Sequence, residues 1–426
     1  MSDGIPARAA AQVILSDVLR KHRTLDGALE QLGHLEPRDA GFARAIASET
    51  LRRLGQIEAL IRHFVPKSPP PHKAGPTLEI LYAGACELLF LNVAPHAAVD
   101  AANRLAQADA KAVHFKSLVN AVLRRVARDG PAVLAEQDAA RLNTPDWMWT
   151  RWCGTYGEET ARAIAMAHAA PAATDLVLKD ATFAGRLGGM PLIGNVVRLP
   201  ASSRIEELPG FTAGHWWVQD IASSLPTRLF GDVAGQTVID LCAAPGGKTM
   251  QLAARGANVI AVEREPDRLE RLAENLKRTG LAATLVQGDA RDFVPESPAP
   301  FVLLDAPCTA TGTIRRHPDL PWLKSASDVT FCTQTAAELL AAAAKMVAPG
   351  GLLAFAVCSL EREECVEQIE DFLRLHHEFA REPIGEADVL GHAQWLSAEG
   401  DLRTLPCYLQ EIGGMDGFFA ALLRRL

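Results

Sequence analysis

Two cysteines, Cys308 and Cys358, each follow an apolar run that is typical of a buried strand. The runs are residues 303–307 and 353–357, and a Gly-rich turn at residues 240–249 precedes both. A thiolate is a strong nucleophile, and enzymes use it to form covalent intermediates. Two thiols downstream of a cofactor-type turn therefore suggest covalent attack on an electrophilic ring.

The turn itself indicates which kind of cofactor is bound. Gly246 and Gly247 allow a ligand to approach the backbone closely, and the helix that follows offers free N–H groups. A phosphate-binding P-loop needs glycine at position 242, where this chain has Cys242, and Pro245 removes an N–H that would cradle phosphate. The sequence therefore disfavours a nucleotide hydrolase.

Acidic residues follow the next strands along the chain. Glu263 lies 16 residues after Gly247, Asp289 follows the third predicted strand, and Asp305 follows the fourth. A carboxylate at the first position can accept both ribose hydroxyls, and Asp289 can bind an adenine amino group. A single acid at a strand end often only caps the next helix, but the ordered series suits an adenosine-containing cofactor without a pyrophosphate.

The elements that must position these residues alternate in type. Strands are predicted at residues 237–241, 259–262, 283–286, 301–304, 352–357 and 418–423, with helices between most of them. Such an alternation predicts a doubly wound parallel sheet with ligands at the carboxyl ends of its strands. The turn, the acids and Cys358 therefore belong to one cleft.

The first 140 residues have a different pattern, with helical spacing of apolar residues throughout. The predicted helices are residues 9–19, 37–54, 57–64, 77–91, 97–108 and 115–127. The helix from Thr77 is apolar nearly all round, which predicts a central place in a bundle. Prolines at 69–71 predict a stiff loop over residues 68–71, and short strands are predicted at 176–178 and 196–199.

One helix of this region carries a basic stripe. Its members recur every four residues with one neighbour beside them: Lys116, Asn120, Arg124, Arg128 and Arg125. Taken alone, the stripe is typical of a solvated helix face. Its alternative is contact with an RNA backbone.

Composition limits the class of protein. The 426 residues are 48% hydrophobic and 22% charged, which suits a globular protein of two or three domains. The net charge of −8 argues against a generic nucleic-acid binder, so any polyanion contact must come from local patches. No apolar run reaches membrane-spanning length and the first residues lack a signal-peptide core, which predicts a cytoplasmic protein.

The eight cysteines include no C-x-x-C pair, so the sequence predicts neither a zinc site nor a redox pair. A free thiol in an apolar run usually behaves as a small hydrophobic side chain. That interpretation suits Cys86, Cys153, Cys332, Cys365 and Cys407.

Three segments carry a family resemblance. Residues 240–249, 305–312 and 357–359 resemble the signature blocks of the Sun family, which are S-adenosylmethionine-dependent RNA cytosine-5 methyltransferases. Residues 315–319 and 416–419 resemble further blocks of that family. The N-terminal helices resemble the NusB-like RNA-binding domain of its bacterial small-subunit rRNA members, through residues 38–39, 51–54 and 119–125.

The resemblance implies an architecture and a function. Residues 1–140 are expected to form an all-α NusB-like bundle, 141–235 a short α+β connector that is a reduced RRM-like subdomain, and 236–426 an α/β, Rossmann-like class I methyltransferase domain. The implied reaction transfers methyl from S-adenosylmethionine to C5 of a cytosine in 16S rRNA. RNA is the expected partner of a monomer that binds neither membrane nor metal. The alternatives are a tRNA cytosine-5 methyltransferase and a non-catalytic RNA-binding assembly factor.

The resemblance also implies roles for single residues. The expected cofactor-binding residues are Cys242, Ala243, Ala244, Pro245, Gly246, Gly247, Lys248, Glu263, Asp289 and Asp305. It favours RNA contact for the stripe of Lys116, Asn120, Arg124, Arg125 and Arg128.

Among the catalytic residues, Cys358 is implied as the nucleophile and Cys308 as the helper in product release. DNA cytosine-5 methyltransferases instead use a Pro-Cys cysteine, which would point to Cys308. Lys248 is the candidate cation that favours the thiolate, and Asp305 is expected to contact the target base or the methionyl end of the cofactor.

The chain departs from the family pattern at three places. Val357 stands where threonine is usual, and Glu263 stands where the ribose-binding aspartate is usual. The connector between about 170 and 216 is shorter than the RRM-like subdomain of the family, and no helix is predicted between residues 178 and 196.

Overall fold

The computed structural model describes residues 4–67, 71–199 and 205–426. Residues 68–70 of the predicted proline-rich loop at 68–71 therefore lie outside the described residues. The chain divides into two compact units. The first comprises Met1–Ala169 and Arg316–Ser325, and the second comprises Ala170–Arg315 and Ala326–Leu426.

The first unit is helical, as its apolar spacing predicts. Its helices up to residue 169 are α1 (Ile5–Lys21), α2 (Leu25–Leu29), α3 (Pro37–Arg52), α4 (Leu54–Phe64), α5 (Pro71–Ala74), α6 (Thr77–Leu89), α7 (Pro95–Ala108), α8 (Lys116–Ala135), α9 (Ala139–Leu142), α10 (Asp146–Tyr156) and α11 (Glu158–His168).

Helix α6 lies at the centre of this unit, which confirms the prediction made from its apolar circumference. It packs against α1, α3, α4, α7 and α8. The α6 residue Gly84 allows close approach, since a Cβ atom there would lie 2.7 Å from Leu123 Cδ1 on α8. The buried Glu87 of the same helix is compensated by Arg8, whose Nη2 lies 2.7 Å from Glu87 Oε2.

The segment Arg316–Ser325 packs within the helical unit although it lies far along the chain. Asp319 Oδ2 accepts a hydrogen bond from the Leu25 backbone N–H at 2.8 Å, at the start of α2. Trp322 Nε1 donates to the Leu51 carbonyl at 2.8 Å. The first unit is therefore discontinuous in sequence.

The second unit contains two sheets. Its strands are β1 (Thr174–Leu178), β2 (Met190–Pro191), β3 (Val196–Leu199), β4 (Trp216–Val218), β5 (Thr237–Leu241), β6 (Asn258–Glu263), β7 (Thr284–Gln287), β8 (Ala299–Asp305), β9 (Val347–Val357), β10 (Phe379–Arg381), β11 (Leu402–Thr404) and β12 (Phe418–Arg425). Its helices are α12 (Ile221–Ser224), α13 (Gly247–Ala254), α14 (Pro266–Thr279), α16 (Ala326–Met346) and α17 (Val366–Leu375), and α15 (Leu320–Leu323) belongs to the first unit.

The larger sheet has the order β10-β12-β9-β8-β5-β6-β7, and β11 pairs with β12. Strands β5 to β9 pair in parallel, as the alternating pattern predicts. Strand β12 is antiparallel to β9, so the sheet is mixed and not wholly parallel. An apolar run does not specify whether a strand pairs in parallel or antiparallel fashion. The sequence of β12 alone therefore did not predict its orientation.

Apolar residues cover both faces of this sheet. On one face, α13 and α14 pack through Met250, Leu252, Leu272 and Leu276. On the other face, α16 and α17 pack through a cluster that includes Leu340 and Ile369. The α/β class with helices on both faces is thereby confirmed.

The smaller sheet lies in the connector and has the order β2-β3-β1-β4 with antiparallel pairing. Between β1 and β2 the chain forms only a short 3₁₀ helix, Ala181–Arg186. A buried ion pair joins β1 to β3, with Arg198 Nε 2.7 Å from Asp175 Oδ1.

Candidate active site

The Gly-rich turn joins the end of β5 to the start of α13. Gly246 has φ 102°, and a Cβ atom there would lie 2.2 Å from Leu272 Cδ1. Glycine is therefore required at this position on both conformational and steric grounds. Cys242 adopts φ 59°, a conformation that few non-glycine residues take, and it lines the cavity beside the turn. Burial raises the pKa of the Cys242 thiol to about 12, which suits a lining residue and not a nucleophile.

Glu263, at the end of β6, is buried and faces the same cavity. Its Oε2 accepts from the Ala244 N–H at 3.2 Å, and its Oε1 accepts from the Glu265 N–H at 3.1 Å. Arg268 supports the arrangement from α14, donating to the Ala244 carbonyl at 2.6 Å. Each carboxylate oxygen has acceptor capacity beyond its one backbone donor, so the side chain can still accept ribose hydroxyls.

Asp289 follows β7 and is held by a neighbouring arginine. Asp289 Oδ1 accepts from Arg291 Nε at 3.0 Å, and Oδ2 accepts from Arg291 Nη2 at 2.6 Å. This hydrogen bonding lowers the pKa of Asp289 to about 2. Arg291 also pairs with Glu338 of α16 at 2.7 Å. Arg291 and Glu338 were not predicted as site residues, and both line the cavity.

Lys248 and Asp305 form an ion pair that joins the first turn of α13 to the end of β8. Lys248 Nζ lies 2.7 Å from Asp305 Oδ2 and 5.0 Å from the centroid of the Phe418 ring. The Lys248 side chain is buried, whereas Asp305 is one-third exposed. The Asp305 carboxylate is therefore the charged group with which the Lys248 ammonium interacts directly.

The two cysteines are brought together from the ends of adjacent parallel strands. The Sγ atoms of Cys308 and Cys358 lie 3.6 Å apart, and both residues line the cavity. The hydrogen bond with Cys358, together with burial, raises the pKa of the Cys308 thiol well above its usual range. Cys308 therefore stays protonated and can donate its S–H to the Cys358 sulfur.

One cavity of about 520 Å³ is lined by the acids at the strand ends and by both cysteines. Its lining includes Glu263, Asp289, Asp305, Cys308 and Cys358. The volume is that of a site for a cofactor-sized ligand. The residues fit S-adenosylmethionine, because acceptors for ribose and adenine lie along the cavity and the turn with Pro245 offers no pyrophosphate cradle.

Two buried acids at this site were missed by the sequence analysis. Asp240 accepts from Thr249 Oγ1 at 2.6 Å, and burial raises the pKa of Asp240 to about 7. Glu364 binds the residues that follow both cysteines. Glu364 is one of four glutamates within residues 361–367, so the sequence gives no signal that separates it from the others.

The predicted basic stripe lies on α8 of the helical unit, and several of its side chains already interact with neighbouring residues. Arg124 and Arg125 are exposed, and the Arg125 guanidinium lies 4.7 Å from the Phe64 ring centroid. Arg128 is paired with Asp129 at 2.8 Å. Lys116 donates to Gln107 at 3.1 Å, and Asn120 accepts from Asn103.

The remaining cysteines behave in two ways. Cys86 and Cys365 are fully buried, and burial raises the pKa of each thiol to about 12, as expected for small core side chains. Cys153, Cys332 and Cys407 are partly exposed.

Within residues 4–67, 71–199 and 205–426, no group of three or more His, Cys, Asp or Glu side chains is placed to hold a metal ion. Nor does that part of the chain contain a helix both long and apolar enough to span a membrane.

Sequence comparisons place both units among known families. The family described as 16S rRNA methyltransferase RsmB/F matches residues 229–424, and the NusB family matches residues 5–128. The chain is 34% identical to Ribosomal RNA small subunit methyltransferase B of Cronobacter sakazakii, and the match covers 99% of each chain.

Solved structures share the fold. The crystal structure of PH0851 matches with a TM-score of 0.78 and 23% identity, over 99% of this chain and 98% of that one. The structure of NSun6 from Pyrococcus horikoshii with SFG matches with a TM-score of 0.56 and 20% identity, over 66% of this chain and 98% of that one.

Proposed function

Since the chain belongs to the RsmB/F family of 16S rRNA methyltransferases, we propose that it methylates C5 of a cytosine in small-subunit rRNA through a covalent adduct with Cys358. The chain is an S-adenosylmethionine-dependent rRNA methyltransferase. The position of the methyl group on cytosine and the covalent step are our proposal. The observation that carries it is the 3.6 Å distance between the Cys308 and Cys358 Sγ atoms in the cavity that also contains Glu263 and Asp289.

C5 of cytosine is a poor nucleophile, so the ring must first be activated. The Cys358 thiolate adds to C6, forming an S–C6 bond, and the electron pair of the C5–C6 double bond then makes C5 nucleophilic. S-adenosylmethionine, when bound, supplies an electrophilic methyl group for C5. The C5 proton must then leave to a base, and the S–C6 bond breaks with its electron pair returning to sulfur.

The other residues of the cavity hold the reactants. We assign the cofactor to residues 242–248 with Glu263, Asp289 and Asp305. Asp305 also faces the reacting base, and its pairing with Lys248 fixes its orientation. Cys308 assists product release, since its sulfur lies within contact distance of the Cys358 sulfur that must be expelled.

The helical residues are proposed to bind the RNA. We propose that residues 1–140 are the NusB-like RNA-binding domain, 141–235 the connector and 236–426 the methyltransferase domain. The match of residues 5–128 to the NusB family supports this division and favours rRNA over tRNA. A monomer without a metal ion is expected to carry out the reaction.

The decisive experiment uses RNA in which cytosine is replaced by 5-fluorocytosine, because fluorine cannot leave C5 as a proton does. Wild-type protein with S-adenosylmethionine should form a stable RNA adduct, and Cys358→Ala should form none. Adduct formation by Cys358→Ala but not by Cys308→Ala would reverse the assignment.

A second experiment identifies the substrate. Label from methyl-tritiated S-adenosylmethionine should enter unmodified 16S rRNA as 5-methylcytosine and leave tRNA unlabelled. Labelled tRNA alone would replace our proposal by the tRNA alternative. Failure to label any RNA would favour the non-catalytic assembly factor.

A further inference from the structure

A single buried carboxylate contacts both cysteine loops. Glu364 ends the 3₁₀ turn Arg362–Glu364 and is 1% exposed. Its Oε1 accepts from the Thr309 backbone N–H at 2.8 Å, and its Oε2 accepts from Thr309 Oγ1 at 2.5 Å. Oε2 also accepts from Ser359 Oγ. Thr309 directly follows Cys308 and Ser359 directly follows Cys358, so Glu364 bridges the two loops at the residues next to the thiols.

The ladder between β8 and β9 alone does not fix the spacing of the two thiols. The pairing of β8 with β9 ends at Asp305 and Ala356, and the cysteines lie beyond it on both strands. Past the end of a ladder, backbone pairing no longer sets the spacing of adjacent chains. Hydrogen bonds beyond the ladder must therefore hold the loops that carry Cys308 and Cys358.

Two other hydrogen bonds supply part of this support. The Gly312 N–H donates to the Cys358 carbonyl at 3.0 Å. The Leu360 N–H donates to Thr311 Oγ1 at 3.0 Å. Both bonds start three or four residues after Cys308, whereas Glu364 contacts the residue directly after each thiol.

Glu364 also affects the pKa of the Cys308 thiol. The hydrogen bond with Cys358 and burial are the two largest causes of the raised pKa of Cys308. The nearby Glu364 carboxylate is a smaller cause that acts in the same direction. A negative charge held at this place therefore favours the proton on Cys308 and works in the same direction as the S–H···S contact.

We propose that Glu364 is a positioning residue that holds the Cys308 and Cys358 sulfur atoms within reach of one target base. The catalytic consequence rests on the proposed function, whereas the geometric consequence does not. Reacting groups that are misplaced by about 1 Å can lose about 100-fold in rate, so one tie between two loops can have a large effect.

The test compares Glu364→Gln with a matched control. Glutamine keeps the size of the side chain but replaces one acceptor oxygen by an NH₂ group, so it cannot accept from all the present donors. Glu367→Gln removes the same charge three residues later, where Glu367 is partly exposed and paired with Arg362 at 3.0 Å.

The first measurement reports thiol spacing without any catalysis. Phenylarsine oxide condenses with two neighbouring thiols, forming two As–S bonds and releasing one water. Wild type and Glu367→Gln should bind it through Cys308 and Cys358, with Cys308→Ala giving the background from other cysteines. In Glu364→Gln, bridging should be at least about tenfold slower.

The second measurement separates positioning from binding. In Glu364→Gln, the rate of 5-fluorocytosine adduct formation should fall about 100-fold while the Kd for S-adenosylmethionine stays within about twofold. Glu364→Asp keeps the charge but has a shorter arm, so it should not restore the rate. Restoration by aspartate would show that charge alone matters and would overturn the proposal.

The outcomes are distinguishable. Wild-type bridging and trapping by a folded Glu364→Gln would overturn the positioning role. Arsenical bridging by wild type without any RNA adduct would instead sink the proposed function and leave the geometric inference standing. Should Glu364→Gln not fold, as judged by its melting curve, Thr309→Val and Ser359→Ala each remove one of the same bonds, and wild-type bridging in both would overturn the proposal.

Discussion

Lys248 Nζ lies 2.7 Å from Asp305 Oδ2, joining the first turn of α13 to the end of β8. The ammonium also lies over the Phe418 ring, 5.0 Å from its centroid. The pair fixes the orientation of a carboxylate only a few residues before Cys308. Removal of either partner leaves a charge in a partly desolvated site.

We expect the two residues of this pair to be coupled. Lys248→Met should lower the free energy of unfolding by about 1–3 kcal/mol, because Asp305 loses its charged hydrogen-bond partner. The double variant with Asp305→Asn should recover much of that loss, yet both variants should lose methyl transfer by about 100-fold. Urea unfolding and single-turnover methylation measure the two effects. Strictly additive losses of stability would contradict the coupling.

The protonation of Cys308 should depend on Cys358. The S–H···S hydrogen bond is the largest cause of the raised pKa of Cys308, so wild-type Cys308 should become a thiolate only at strongly alkaline pH. In Cys358→Ala that cause is lost, and the midpoint of the pH–rate curve for alkylation of Cys308 should move to lower pH. Iodoacetamide labelling with peptide mass mapping measures this midpoint, which is independent of access to the thiol. An unchanged midpoint would contradict the contact.

The raised pKa of Cys308 also makes the free energy of unfolding depend on pH. A thiol whose folded pKa is raised contributes stability below its unfolded pKa of about 8.5, and that contribution is lost as the pH rises through the folded pKa. The fall in unfolding free energy above about pH 8.5 should therefore be shallower in Cys308→Ala than in wild type.

Glu263 should carry much of the cofactor affinity. Glu263→Ala removes a buried acceptor that also holds the Ala244 and Glu265 amides, so the Kd for S-adenosylmethionine should rise about 10–100-fold by titration calorimetry. The control Glu274→Gln changes an exposed acid on α14 and should bind as wild type does. Glu263→Asp, which restores the residue usual in the family, should retain more affinity than alanine. Equal Kd values for Glu263→Ala and wild type would remove Glu263 from the cofactor site.

The basic stripe of α8 should contribute unequally to RNA binding. Arg124→Ala and Arg125→Ala remove exposed charges, and each lost phosphate contact should reduce the slope of log K against log salt by about 0.7–0.9. Arg128→Ala should have a smaller effect, because Arg128 is already paired with Asp129. Filter binding over a salt series measures the slopes. Equal effects of all three variants would indicate that the Asp129 pair does not persist in the complex.

Local sequence patterns predicted much of the fold and of the activity of this protein. The helical spacing of residues 1–140, the strand-turn-helix pattern from residue 237 and the acids at strand ends predicted the fold class, which is confirmed. The Sun-family resemblance and an S-adenosylmethionine-dependent rRNA methyltransferase are confirmed as well. The roles of single residues and the three-domain boundaries remain predictions.

Only the tertiary structure decided which side chains meet. Cys308 contacts Cys358 across 50 residues, Lys248 pairs with Asp305 across 57, and Glu364 reaches back 55 residues to Thr309. The antiparallel direction of β12 and the inclusion of residues 316–325 in the helical unit were likewise set at this level. Apolar periodicity determines an element because it acts over one or two turns, whereas the partner of a buried charge depends on which elements pack side by side.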